Sequence, residues 1–192
     1  MSKNLAVFCG SSAGFNPVYT EAAREVGQTL AQKGIGIVYG GGNVGLMGIL
    51  ADAALEAGGH VIGVIPYFLK EKEVCHLGLS ELYVVESMHE RKVKMARLTQ
   101  GVIALPGGYG TLDEVFEMVT LAQLGQDMQP AGLLNINGFF NHLITYIDHA
   151  HQEGFIKQAH RELLYHANDF PTLLTHLLEY KPVELEGKWW VS

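Results

Sequence analysis

The sequence has few cysteines, an excess of acidic over basic residues, and no long apolar run. Cys9 and Cys75 are the only cysteines among 192 residues, which excludes a disulfide framework. A net charge of −7 argues against general binding of nucleic acid, which requires a basic surface. No stretch approaches the roughly 20 apolar residues of a membrane helix, and the apolar run near the N-terminus is too short for a signal peptide. We therefore expect a cytoplasmic protein with neither a membrane nor a nucleic-acid polymer as its partner.

Linkers rich in Pro, Gly or Ser, internal repeats and low-complexity segments are also lacking. With 48% hydrophobic and 17% charged residues, the chain has the composition of an ordinary globular protein, and its length fits one domain of about 100–200 residues. We expect residues 1–180 to form that domain and residues 181–192 to form a tail. For this tail, which holds Trp189 and Trp190, three interpretations stay open: a disordered end, a contact with a partner subunit, or a ligand role.

Short apolar runs alternate with segments of helical periodicity along the whole sequence. The patterns predict strands at residues 5–9, 35–39, 60–65, 82–85, 101–105, 131–135 and 163–166. They predict helices at residues 17–33, 46–57, 88–98, 111–124, 139–153 and 171–180, the third opening with a capping box of Ser87 and Glu90. Apolar strands separated by helices are typical of a parallel sheet covered on both faces. The expected fold is one α/β domain, a doubly wound, Rossmann-like parallel sheet with helices on both faces.

Glycines cluster in three loops that follow predicted strands. These loops are Gly10-Ser11-Ser12, the run from Gly40 to Gly45, and Gly107-Gly108-Tyr109-Gly110-Thr111. Each places unhindered backbone N–H groups close to the start of a helix, which suits a phosphate group. Since parallel sheets bind ligands beyond the carboxyl ends of their strands, three such loops on one edge favour a nucleotide-like ligand.

The middle loop also matches the G-x-G-x-x-G pattern at Gly40, Gly42 and Gly45, which suggests a dinucleotide site as a rival. That fingerprint needs an acidic residue about 20 residues later, at the end of the next strand. Here the next strand ends Val64-Ile65-Pro66, without a carboxylate. The pattern also follows the second strand instead of the first, so the dinucleotide interpretation is the weaker one.

The third loop leads directly into a helix whose predicted first turn carries Asp113 and Glu114. For Asp113, the simpler interpretation is that its charge complements the helix dipole. Glu114 lies one residue further around the turn. A phosphate bound by the preceding amides would bring an attached ribose within its reach.

These motifs together resemble those of the LONELY GUY family of phosphoribohydrolases, long mislabelled as lysine decarboxylases. The hallmark P-G-G-x-G-T-x-x-E runs from Pro106 to Glu114 without a gap, and Tyr39-Gly40-Gly41-Gly42 with Gly45-Leu46-Met47-Gly48 forms a second signature. The similarity covers residues 5–156. One departure is Thr99-Gln100, where the family usually carries an aspartate at the second position; this change affects the expected local packing more than the expected activity.

The resemblance implies an enzyme without a cofactor that hydrolyses the N-glycosidic bond of a nucleoside 5′-monophosphate, usually as a homodimer. It places the catalytic pair on Arg91 and Glu114. Together with the glycine loops, it places substrate contacts on Ser11, Gly41, Gly42, Glu73, Met88, Lys92, Gly107, Gly108, Tyr109, Gly110, Thr111, Asp113 and Thr120, with Met88 near the base.

The chemistry of N-glycosidic cleavage is consistent with these roles, because positive charge develops on the ribose as the bond breaks. Glu114 could stabilise that charge and orient the attacking water. Arg91 stays cationic at any working pH, so it is a poor proton donor, and it is expected to bind phosphate or to stabilise the departing base. Without the resemblance, an exposed salt bridge on a helix face shared with Lys92 and Lys94 would be the preferred interpretation of Arg91.

The sequence gives weaker support to three other interpretations. The nine histidines include no pair with convincing ligand spacing, so no metal site is predicted. A non-catalytic carrier of a nucleotide or molybdenum cofactor on the same fold is the main alternative, since fold alone does not determine function. A decarboxylase would need a lysine to anchor pyridoxal phosphate, and no lysine in the sequence stands out for that role.

Overall fold

The computed structural model describes residues 3–70, 75–126 and 129–182. Its strands are β1 (Asn4–Phe8), β2 (Gly36–Tyr39), β3 (Val61–Pro66), β4 (Glu81–Val85), β5 (Val102–Ala104), β6 (Ala131–Leu134) and β7 (Leu164–Ala167). Its helices are α1 (Pro17–Gln32), α2 (Gly45–Glu56), α3 (Tyr67–Lys70), α4 (Met88–Leu98), α5 (Tyr109–Gln123), α6 (Asn141–Gln152), α7 (Gln158–Arg161) and α8 (Phe170–Glu179), with a 3-10 turn at Ile136–Gly138.

All seven strands pair in parallel in one sheet, in the order β4-β3-β2-β1-β5-β6-β7. The chain starts in the middle at β1, builds outward through β2, β3 and β4, then returns to β5 on the other side of β1. The order therefore reverses between β1 and β5, and this reversal opens a crevice at the carboxyl ends of these two strands. The predicted fold class, a doubly wound parallel sheet, is confirmed.

Two apolar layers hold the helices against the two faces of the sheet. On one face, α1, α2 and α8 contribute buried residues such as Val26, Leu50 and Leu173. On the other face, α4, α5 and α6 contribute residues such as Met95 and Val115. Because β2, β3, β5 and β6 are buried along their whole length, and β1 at all but its first residue, the loops that follow the central strands start from the most rigid part of the molecule.

Side-chain caps fix the starts of several helices. Asn16 accepts a hydrogen bond from the Val18 N–H at the start of α1, and Ser87 accepts one from the Glu90 N–H at the start of α4. The predicted capping box needs a correction: the Glu90 carboxylate accepts from the N–H of Glu86, one residue before the cap, instead of from that of Ser87.

The predicted and observed elements differ mainly in the short helices and at helix starts. The four-residue helices α3 and α7 were not predicted, because one turn is too short to show helical periodicity. Helix α5 begins at Tyr109, two residues before the predicted start, because the backbone of Gly108 is extended and acts as its N-cap. The prediction that Asp113 and Glu114 lie in the first turn is therefore wrong, since both lie in the second turn.

Within the described part of the chain, no helix is long and apolar enough to cross a membrane. Two sequence predictions fall outside the described residues: the contact assigned to Glu73, and the tail with Trp189 and Trp190, of which only Lys181 and Pro182 are described.

Candidate active site

The three predicted glycine loops meet at the crevice between β1 and β5. The Gly10 N–H donates to the Pro106 carbonyl at 3.0 Å, which joins the loop after β1 to the loop after β5. The Gly10 carbonyl accepts from the Leu46 N–H, also at 3.0 Å, which joins the first loop to the start of α2. A cleft of about 220 Å³ lies beside this junction, lined by Cys9, Gly10, Ser11, Met47, Arg91, Gly108, Tyr109, Gly110, Thr111 and Glu114.

One end of the cleft is formed by the exposed start of helix α5. Gly108, Tyr109 and Gly110 are exposed there, and the Tyr109 side chain is fully in solvent. The N-cap residue is a glycine, so no side chain of the cap can accept a hydrogen bond from the N–H groups of the first turn. Gly107 also has no room for a side chain, since a Cβ there would overlap the Thr111 hydroxyl and lie 2.9 Å from the Gly10 nitrogen. This end of the cleft has the geometry of a phosphate site.

The buried end of the cleft holds an ion pair between two helices. Nη2 of Arg91, from α4, lies 3.0 Å from Oε1 of Glu114, from α5. Only 9% of Arg91 and 7% of Glu114 are exposed. Nη1 of Arg91 lies 3.7 Å from the sulfur of Met88, and the buried Nε has no hydrogen-bond partner among the described residues. The alternative of an exposed salt bridge for Arg91 is therefore wrong.

Cys9 lies beside this ion pair at the end of β1. Burial raises the pKa of its thiol far above the usual value, and the negative charge of Glu114 raises it further. The thiol therefore stays protonated, which makes Cys9 an unreactive wall of the cleft. Cys9 and Met47 both line the cleft, although neither was among the candidate site residues. The position of Cys9 directly before the Gly10 loop was the signal that could have revealed it.

Lys92, next to Arg91 on α4, contacts two carboxylates of α5. Its ammonium lies 3.2 Å from Oδ2 of Asp113 and also pairs with Glu117. Desolvation opposes its charge, but the hydrogen bonds to Glu117 and Asp113 outweigh this effect and raise the pKa of Lys92. Arg91 and Lys92 thus link α4 to α5 at two successive points. The simpler interpretation of Asp113 was that it complements the helix dipole, but its carboxylate has a specific partner in Lys92.

Other predicted contact residues lie at varying distances from the cleft. Ser11 lines it. Gly41 and Gly42 are buried and do not line it: the Gly41 carbonyl accepts from the His76 N–H, and Gly42 forms a β-bridge with Cys75. Thr120 is exposed on the third turn of α5, where its hydroxyl donates to the Phe116 carbonyl at 2.7 Å. The substrate contacts assigned to these residues stay predictions.

A buried histidine near this region also was not anticipated. Nε2 of His76 lies 2.9 Å from Oδ1 of Asp52, and Nδ1 accepts a hydrogen bond from the Gly78 N–H at 3.1 Å. Because Nδ1 is the acceptor, Nε2 carries the proton and donates to Asp52. Both ring nitrogens are thus used to hold the segment after Cys75 against α2. Among the described residues, no group of three His, Cys, Asp or Glu side chains is placed to bind a metal ion.

The residues at Thr99 and Gln100, where the sequence departs from the expected acidic position, fix the end of α4. The Thr99 hydroxyl donates to the Met95 carbonyl at 3.0 Å, and the Gln100 side chain accepts from the Asn4 N–H at 2.9 Å. The second contact ties this turn to β1. Neither residue lines the cleft.

Comparison of the sequence with known proteins identifies relatives of this chain. A family model described as "possible lysine decarboxylase" matches residues 47–177. The chain is 47% identical over 181 residues to a cytokinin riboside 5′-monophosphate phosphoribohydrolase of Arabidopsis thaliana, covering 94% of this chain and 79% of that protein. It is 49% identical over 181 residues to a probable enzyme of the same name from rice, Oryza sativa subsp. japonica, covering 94% of this chain and 80% of the relative.

Similar solved structures include two molybdenum-cofactor proteins. The carrier protein of Chlamydomonas reinhardtii superimposes with a TM-score of 0.72 at 21% identity, covering 94% of this chain and 100% of that one. The cofactor-binding protein of Rippkaea orientalis gives a TM-score of 0.67 at 24% identity, covering 93% and 96%. At these identities the similarity shows a shared fold.

Proposed function

The chain belongs to the LONELY GUY family of cytokinin riboside 5′-monophosphate phosphoribohydrolases, and we propose that it hydrolyses the N-glycosidic bond of nucleoside 5′-monophosphates. The products are a free base and ribose 5-phosphate. The observation that carries this proposal is the buried Arg91–Glu114 pair in a cleft whose other end is the glycine-rich start of α5. One end of the cleft suits a phosphate. The other end holds Arg91 and Glu114 where charge develops on the ribose and the departing base during the reaction.

The start of α5 would bind the 5′-phosphate through backbone N–H groups of residues 109–111. These groups point out of the helix end, where the helix dipole also favours negative charge. Because Gly108 and Gly110 have no side chains, the phosphate can approach the backbone closely. Binding there would leave the ribose pointing toward the buried end of the cleft.

Glu114 would act on the ribose carbon that carries the base. As the bond between C1′ and the base nitrogen breaks, positive charge develops on the ribose, and a carboxylate in a buried site stabilises it strongly. The attacking water forms the new bond to C1′, one of its protons goes to the departing nitrogen, and the other remains on the new hydroxyl. Glu114 orients this water and relays the first of these protons: it accepts the proton from the water as the bond forms and gives it up to the departing nitrogen, which leaves the carboxylate as it was. Arg91 stays cationic and stabilises the negative charge that the departing base acquires.

The two alternative functions have weaker support. The carrier interpretation rests on the fold alone, and a carrier would not need an ion pair buried beside the ligand. A decarboxylase that uses pyridoxal phosphate requires a lysine in its site. Within the described residues no lysine lines the cleft, and the nearby Lys92 is engaged by Asp113 and Glu117.

We further propose that the enzyme is a homodimer whose neighbouring subunit completes the base pocket. The size of the cleft supports this proposal: about 220 Å³ is below the roughly 300–1,000 Å³ of most small-molecule sites. A cytokinin is the proposed base, because the plant relatives are named for the hydrolysis of cytokinin riboside 5′-monophosphate, and adenine is the second candidate. Light scattering at assay concentration is expected to report a dimer, and a fully active monomer would contradict the proposal.

The decisive experiment is incubation of the purified protein with a panel of purine and pyrimidine nucleoside monophosphates, followed by chromatography for free base and ribose 5-phosphate. We expect release of adenine or isoprenylated adenine in equal amount to ribose 5-phosphate. Glu114→Gln serves as the control, because contaminating nucleosidases would be unaffected by it. The absence of free base from every nucleotide would overturn the proposed function.

A further inference from the structure

The glycine pattern of the middle loop is not explained by a dinucleotide, so its glycines need another physical reason. For Gly45 the reason is visible in the fold. Gly45 adopts a φ of 59°, and a Cβ there would overlap the backbone of Ser11 and Ser12. Gly40, the first glycine of the pattern, differs from Gly45 because its φ lies outside the left-handed region, so its backbone would accept an alanine.

What excludes a side chain at Gly40 is the guanidinium of Arg91. A Cβ at Gly40 would overlap Nη2 of Arg91 and lie 3.3 Å from its Cζ. The next atom, the sulfur of Met47, would be 3.5 Å away, which is an ordinary van der Waals contact. Nη2 is also the atom that contacts Glu114. The missing side chain of Gly40 is therefore the space in which the Glu114-binding nitrogen lies.

We propose that Gly40 is a positioning residue for Arg91: by leaving this space empty, it allows the guanidinium to reach Glu114. The kinetic consequence of this inference rests on the proposed function, whereas its steric part does not. Arg91 approaches from α4, and in Gly40→Ala the flexible side chain can swing away while the backbone stays in place. The variant is thus expected to fold, with the guanidinium displaced from Glu114.

The first test is the crystal structure and the kinetics of Gly40→Ala. We expect the 3.0 Å contact between Nη2 and Oε1 to be lost. We expect kcat to fall by about 10- to 100-fold, as for a catalytic group displaced by about 1 Å. Gly132→Ala is the matched control, because its Cβ would also meet a flexible side-chain end, 2.5 Å from Cδ1 of Leu173, but on β6 away from the cleft. It should keep the wild-type kcat within about twofold.

The second test separates positioning from a general structural role by combining Gly40→Ala with Arg91→Ala. With no guanidinium to displace, Gly40→Ala should reduce kcat and stability to urea no further than Arg91→Ala does alone. Additive losses, or an unmoved guanidinium in the Gly40→Ala crystal structure, would overturn the proposal. If Gly40→Ala fails to fold, the double variant with Arg91→Ala should still fold. If neither variant folds, the backbone itself requires a glycine at position 40, and the proposal is overturned. If the wild-type protein releases no base, the proposed function fails, while the crystal structure and urea unfolding still decide the role of Gly40.

Discussion

Glu114→Gln removes one charge from the buried ion pair and leaves its shape almost unchanged. At a separation of 3.0 Å and an effective dielectric constant of about 20, the attraction between the two charges is about 5 kcal/mol before desolvation is subtracted. Loss of one partner of a buried pair typically costs about 3–5 kcal/mol, because the other charge is left uncompensated. The glutamine carbonyl still accepts a hydrogen bond from Arg91, which is worth about 1 kcal/mol. We therefore expect a loss of about 2–4 kcal/mol in the free energy of unfolding.

The same variant should separate catalysis from binding. If Glu114 acts mainly in the transition state, its kcat should fall by about 100-fold or more, as for the loss of an acid–base or electrostatic group. Its affinity for AMP should stay close to the wild-type value, because the phosphate is bound at the other end of the cleft. Urea unfolding, steady-state kinetics and calorimetric titration with AMP measure the three quantities.

Glu117→Gln is the control for this prediction. It makes the same chemical change on the same helix, but Glu117 pairs with Lys92, which keeps Asp113 as a partner, and it does not line the cleft. Its kcat should stay within a few-fold of wild type. A Glu114→Gln enzyme that retains most of its kcat would refute the mechanism and favour the carrier interpretation.

Three other predictions concern the cleft. Arg91→Ala should lower kcat with little change in KM, because the guanidinium lies at the buried end of the cleft and the phosphate is bound at the other end; a large rise in KM in steady-state kinetics would contradict this separation. AMP should be hydrolysed far faster than adenosine because the start of α5 binds the phosphate, and equal kcat/KM values for the two would disprove phosphate anchoring. Because burial and the charge of Glu114 raise the pKa of Cys9, its thiol should resist iodoacetamide at pH 8 in the folded protein and react in urea; mass spectrometry showing rapid alkylation of the folded form would contradict this.

The sequence predicted the parts of the fold that have a periodic or compositional signature. The buried strands and the long helices were predicted from apolar periodicity. The parallel arrangement of the sheet was predicted because strands and helices alternate along the chain. The start of α5 was misplaced by two residues, because its cap is the backbone of Gly108 and leaves no side-chain signal. The turns α3 and α7 were missed for a similar reason, since four residues cannot display a helical repeat.

For the candidate site, sequence motifs identified the loops and the two charged residues but not the contact between them. Arg91 and Glu114 are 23 positions apart on different helices, and their distance depends on how α4 and α5 pack on the sheet. The same packing directs Lys92 to Asp113 and Glu117. The steric dependence of Arg91 on Gly40 is also invisible in the sequence, where Gly40 belongs to a pattern that suggests a different ligand.

The hydrogen bonds that join the glycine loops have a consequence for how the protein would respond to heating. The Gly10 N–H and carbonyl bind the loop after β5 and the start of α2, so the cleft shares its bonds with the innermost strands of the sheet. Breaking these two hydrogen bonds then requires opening of the sheet centre, so exchange of the Gly10 and Leu46 amides should require nearly global unfolding, whereas the exposed amides at the start of α5 should exchange quickly. In enzymes with mobile lids, the site loosens before the fold does. Here the cleft and the fold are expected to be lost in one cooperative transition.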